Sequence, residues 1–195
     1  MTAFAFADPV FESQATFRSV LRAMASPGQI VDAGEALAPP APLGRAAAAA
    51  LLTLADFETP LWIAPSFAGS GVEAYLKFHT GAALAASSEN AAFALADAAA
   101  DAVEFIRFSQ GTAEYPDRST TLILQVRRLA PGAGLRLVGP GVRGASELKV
   151  APLPADFLNQ WQANHAGFPL GIDLILAAGS WLAALPRSVG VTGDA

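Results

Sequence analysis

The run Phe168-Pro-Leu-Gly-Ile-Asp-Leu-Ile-Leu-Ala-Ala-Gly-Ser-Trp-Leu-Ala-Ala-Leu-Pro-Arg187 reads as a strand, a tight turn at Gly179-Ser180 and a second strand. Both arms are apolar enough to lie inside a covered sheet. One carboxylate, Asp173, interrupts the first arm. An ionised group in such a run needs a partner, because unpaired buried charge is costly. Asp173 therefore either anchors a ligand or neighbouring subunit, or is a structural acid held by an arginine or by backbone N–H groups. The structural reading is the commoner outcome for such an acid.

The chain has 195 residues, enough to bury a core as one domain over residues 1–195, with the end from about residue 188 expected to fray. Its apolar fraction is 53% and its charged fraction 15%, against about 25% charged in an average globular domain. A surface with so few charges leaves room for an interface, which points to an oligomer or a subunit. The net charge of −5 carries no basic stripe of the kind nucleic-acid binders use. The longest apolar run, Ala46 to Leu52, falls far short of the ~20 residues of a membrane helix. Cysteine is absent, which excludes thiolate and disulfide chemistry on this chain. The start lacks the basic segment of a signal peptide, so a cytoplasmic location is expected.

Phe17, Val20, Leu21 and Met24 recur at helical spacing beside Arg18 and Arg22, and Ser26-Pro27-Gly28 ends that helix. Gln29 to Val31 is a short strand. Gly44 to Ala55 is an alanine-rich, buried helix, and Leu61 to Ala64 a strand. Ser70-Gly-Val-Glu73 has the spacing of a capping box and opens a helix to about Phe78. Phe93 to Ala96 is a strand, Ala99 to Ser109 a helix, and Thr120 to Val126 a central strand, apolar on both faces. Leu135 to Val138 is a further strand and Pro154 to Asn164 a last helix. Alternation of strand and helix followed by a hairpin predicts an α/β fold of three layers, a mixed central sheet flanked by helices.

Self-sufficient catalytic chemistry is not visible. His79 and His165 are far apart in sequence and no carboxylates cluster beside either, so neither a metal site nor an acid–base pair is indicated. Gly132-Ala-Gly134 and Gly139-Pro-Gly141 lack the Lys-Ser/Thr of a phosphate loop and read as turns. No Gly-Xaa-Ser-Xaa-Gly elbow occurs. Lys77 and Lys149 are the only lysines available to a Schiff base.

Several segments, in order from about residue 8 to residue 188, resemble the PhnH family, the H subunit of the bacterial carbon–phosphorus lyase system. They are Phe17-Arg-Ser-Val-Leu-Arg-Ala-Met24 with Ser26-Pro-Gly28, Leu51-Leu-Thr-Leu-Ala-Asp56 leading into Thr59-Pro-Leu-Trp62, Phe78-His-Thr80, Thr121-Leu-Ile-Leu-Gln-Val126, Leu135-Arg-Leu-Val-Gly-Pro-Gly141, and Phe168 to Leu176 with Leu185-Pro-Arg187. The resemblance implies a fold similar to the large domain of pyridoxal-phosphate transferases, without that cofactor or its lysine. It implies PhnG, PhnI and PhnJ as partners, and a supporting role in making alpha-D-ribose 1-methylphosphonate 5-triphosphate from ATP and methylphosphonate. It transfers no catalytic residue. Asp173, His79 and Asp56, which lie in the matched segments, and Arg22 are the ligand or interface candidates, with no metal and no cofactor expected. A homodimer is expected for the isolated chain. A stand-alone binder of a nucleotide or phosphonate, and a degenerate pyridoxal-phosphate protein, are the competing readings.

Overall fold

The structure, a computed structural model, describes residues 5–193. Helix α1, Pro9–Ala25, starts earlier than its apolar spacing suggests, because its first turn is fixed by caps rather than by a core face. The Asp8 side chain accepts from the Phe11 N–H at 3.3 Å, and the Glu12 carboxylate reaches back to the Asp8 N–H at 2.8 Å. Pro9 occupies a position whose N–H would have no helical partner. Helix α2, Arg45–Leu54, buries Ala46 through Leu51 completely. Its small side chains let it lie close to the sheet. Helix α3, Val72–Thr80, opens at Gly71 rather than at Ser70, although the Ser70 hydroxyl still accepts from the Val72 N–H at 3.3 Å. Helix α4 spans Phe157–Ala166.

The main sheet is mixed, as expected. Its strands are β1 (Val31–Asp32), β2 (Leu61–Ile63), β3 (Phe93–Asp97), β4 (Thr121–Gln125), β7 (Asp173–Ala178) and β8 (Trp181–Leu185), in the spatial order β1-β8-β7-β4-β3-β2. Strands β2, β3, β4 and β7 run parallel; β8 is antiparallel to its two neighbours, β7 and β1. Leu122, Ile123 and Leu124 of β4, and Leu174, Ile175 and Leu176 of β7, are all buried, so both faces of the sheet are covered. The β7–β8 hairpin turns at Gly179-Ser180, where Gly179 adopts φ +59°.

A second sheet was not expected from the sequence. It is antiparallel and orders β6 (Ser146–Ala151), β5 (Arg128–Val138) and β9 (Gly190–Gly193). Two expectations are corrected here. The end of the chain is not frayed through residue 193: Gly190–Gly193 pairs with Leu135–Val138, and Val191 is buried. Four residues of Gly-Val-Thr-Gly carry little strand signal of their own, and the open edge of β5 supplies it. Residues 194 and 195 lie outside the described part. The helix expected over 99–109 does not form. The Asp97 side chain accepts from the Ala99 N–H at 2.8 Å and the Asp101 carboxylate takes the Asp97 N–H at 2.9 Å. These local bonds compete with a helix. The segment instead makes a single 3-10 turn at Phe105–Arg107, with Phe105 and Phe108 buried as anchors.

Candidate functional site

Asp173 begins β7, and Arg187 lies just beyond β8 across the same hairpin. The Arg187 Nη2 donates to Asp173 Oδ2 at 2.5 Å and its Nε to Oδ1 at 3.1 Å, while the Arg187 backbone N–H also reaches Oδ1 at 2.8 Å. Both side chains are largely buried, 13% exposed for Arg187 and 17% for Asp173. Nη1 donates to the carbonyls of Pro116 at 2.8 Å and Pro169 at 3.4 Å. The carboxylate therefore has the partner its setting demands, and a planar guanidinium is the group suited to a two-point grip. The pair lies at the base of a shallow groove of about 340 Å³ lined also by Met24, Phe168 and Pro186.

The rest of the Phe168-to-Asp173 motif serves the same join. The buried Asn164 of α4 donates to the Ile172 carbonyl at 3.0 Å and accepts from its N–H at 2.8 Å. Gly171 (φ +119°) makes this possible, since a Cβ there would stand 2.8 Å from Asn164 Oδ1. The motif thus ties helix α4, strand β7 and the segment before β4 to one arginine.

The other candidates are dispersed. Asp56 is exposed in the turn after α2, where its side chain accepts from the Glu58 N–H at 2.9 Å and the Thr59 hydroxyl at 3.0 Å. His79 is exposed near the end of α3, edge-on to Tyr75 and Phe78 at ring separations of 4.7 and 4.9 Å. Burial pushes the Tyr75 hydroxyl above its usual pKa. Arg22 is exposed in the last turn of α1, where its charge suits the helix dipole. Among the described residues no group of three or more His, Asp or Glu could hold a metal ion. No helix among them is long and apolar enough to cross a membrane.

The sequence reading missed a polar network at the C-terminal ends of the parallel strands, the usual ligand side of an open α/β sheet. Gln125, last in β4, accepts from the Gly44 N–H at 2.7 Å and donates to the Pro42 carbonyl and to Asp97 Oδ2, both at 3.0 Å. Asp101 takes the Ser66 hydroxyl at 2.6 Å and the Ser66 N–H at 3.2 Å. A polar residue closing each of two strongly apolar strands, Asp97 and Gln125, was the signal. The network locks α2 and two loops onto the sheet. Gln125→Leu should lower stability by about 1–3 kcal/mol, because it orphans the Gly44 N–H at the start of α2. Urea denaturation measures this, and a loss of under about half a kcal/mol would count against the assignment.

These features define a mixed-sheet α/β protein whose interior carboxylates are engaged by its own backbone and side chains. The family model described as bacterial phosphonate metabolism protein (PhnH) matches residues 4–192, and the chain belongs to that family. It is 45% identical over 184 residues to the alpha-D-ribose 1-methylphosphonate 5-triphosphate synthase subunit PhnH of Rhizobium meliloti (strain 1021), covering 94% of this chain and 92% of that protein. It is 37% identical over 81 residues to the putative C-P lyase subunit protein HtxG of Stutzerimonas stutzeri, covering 42% of each.

Proposed function

We propose that this chain is a subunit of the carbon–phosphorus lyase system for phosphonate breakdown, supporting the synthesis of alpha-D-ribose 1-methylphosphonate 5-triphosphate from ATP and methylphosphonate. The observation that carries this is its 45% identity, across 94% of its length, to a named subunit of that synthase. It acts mainly through protein contacts and is not catalytic alone. The geometry supports this: Asp173 and Asp101 are held by the chain's own donors, while His79, Asp56 and Arg22 stand apart on the surface. Its partners are PhnG, PhnI and PhnJ, it self-associates as a homodimer when isolated, and it works in the cytoplasm without a cofactor of its own. Its mixed sheet is of the kind found in the large domain of pyridoxal-phosphate transferases.

Co-expression with the candidate PhnG, PhnI and PhnJ subunits, with an affinity tag on this chain, tests the reading. Stoichiometric recovery of the other subunits is expected. Recovery of this chain alone, with no growth defect on phosphonate when its gene is deleted, would overturn it.

A further inference from the structure

Strand β6, Ser146–Ala151, forms one edge of the second sheet and pairs only with β5. Among the described residues, no backbone group from Glu147 to Val150 bonds to anything on the side away from β5. An open edge of that length is a template for a further strand. Its burial alternates: Leu148 and Val150 are buried against the core, while Glu147 and Lys149 are exposed on the outer face. Neither charge makes an ion pair among the described residues, although Arg136 of β5 lies opposite Glu147 in register.

Charges on an edge strand commonly discourage pairing. The order Glu147-Leu148-Lys149 does the opposite in one arrangement. Let a second copy of β6 run antiparallel with Leu148 on the two-fold axis. Glu147 of each copy then stands opposite Lys149 of the other. Directly opposed residues share a face with their Cβ atoms about 5 Å apart, where opposite charges attract and like charges repel. Sliding the strands by two residues sets Glu147 against Glu147, or Lys149 against Lys149. Sliding them by one sets exposed positions against buried ones, which mismatches the two faces. The charge order therefore selects one register, and that register complements itself. Such a contact closes at two copies, because each copy offers the same strand that it uses.

Resting on the homodimer proposed above, we infer that two copies of this chain join edge to edge through β6, so that their three-stranded sheets become one continuous antiparallel sheet. Main-chain hydrogen bonds between the two β6 edges supply the affinity, and the two Glu147–Lys149 pairs set the register. Leu148 needs no new side-chain contact. It is already buried within its own copy, and only its backbone reaches the axis.

Sedimentation of the isolated full chain tests this, with Glu147→Lys, Lys149→Glu and the double exchange Glu147→Lys/Lys149→Glu. Glu73→Lys, at an exposed acid on α3, is the control. Both altered β6 positions are exposed, and circular dichroism checks that each variant folds. Either single variant sets like charges opposite one another twice in the dimer, so its dissociation constant should rise at least about tenfold. That rise should shrink as salt increases, because salt screens exposed charges. The double exchange should restore dimerisation, since it swaps the signs and keeps the complementarity. An equimolar mixture of the two single variants should dimerise about as well as the unaltered chain, because each supplies the charges that the other needs. The control should be unchanged. Single variants that dimerise like the unaltered chain would overturn the inference and leave the homodimer standing. So would a double exchange and a mixture that stay as weak as the single variants. A chain that sediments only as a monomer at micromolar concentration would overturn both. The subunit reading is decided separately, by the tagged co-expression.

Discussion

Arg187→Ala should destabilise the protein by about 3–5 kcal/mol, the cost of leaving one member of a buried ion pair uncompensated. The substitution strips both oxygens of Asp173 of their guanidinium donors and leaves the Pro116 and Pro169 carbonyls without Nη1. Asp173 keeps only the Arg187 backbone N–H. At 17% exposure, water reaches that carboxylate poorly. Removing the charge as well separates the two contributions: Asp173→Leu/Arg187→Met should recover a large part of the loss, since well-packed apolar replacements of a buried pair are often neutral. Recovery will be incomplete, because the part-buried Pro116 carbonyl stays without its donor. Urea unfolding of the two single variants and the double variant gives the coupling energy directly. A loss below about 1 kcal/mol for Arg187→Ala would mean that the pair is solvent-screened in the manner of a surface bridge. An Asp173 engaged in ligand binding would behave differently again, with stability rising when it is neutralised and ligand affinity falling.

The need for that partner was legible in the sequence, because a carboxylate inside an apolar strand states its requirement without any tertiary knowledge. Arg187 itself stood at the far end of the same hairpin. The mixed sheet was legible for a similar reason. Strands buried on both faces, such as Leu122 to Leu124 and Leu174 to Leu176, read as continuous apolar runs. Elements stabilised by distant partners escaped. Strand β9 forms only because β5 presents an open edge, and nothing in Gly190 to Gly193 announces it. The segment after Asp97 has helical composition, but the Asp97 and Asp101 side chains capture its backbone, and Ser66 holds Asp101 in place. The network around Gln125 joins residues 81 positions apart, beyond the reach of any local pattern. Helical spacing in α1 likewise left open which residues would be buried. Phe17, Val20, Leu21 and Met24 have helical spacing, yet the stripe straddles two faces: Val20 is buried, Met24 half-buried, and Phe17 and Leu21 point outward.

Trp161→Ala should cost about 3–5 kcal/mol and lower Tm by on the order of 10 °C for a chain of this size. The indole is completely buried. It stacks on Phe157 at 6.2 Å, meets Phe105 edge-on at 6.0 Å, and donates from Nε1 to the Val189 carbonyl at 2.8 Å. One side chain therefore fastens helix α4 to the 3-10 turn at Phe105–Arg107 and to the residue that leads into β9. Its removal leaves a cavity bordered by two aromatic rings and a carbonyl without its donor. Trp161→Phe keeps much of the volume and discards the hydrogen bond, so it should cost less, nearer to about 1–3 kcal/mol. Hydrogen exchange distinguishes a local from a global effect. If Trp161 is the fastener, the amides of Val191 and Thr192, and of their β5 partners Leu137 and Arg136, lose protection in Trp161→Ala before those of Leu122 to Leu124 do. Uniform loss across both sheets would mean that the ring serves the whole core equally. Unchanged protection at the β9 amides would show that the terminal strand holds to β5 without it.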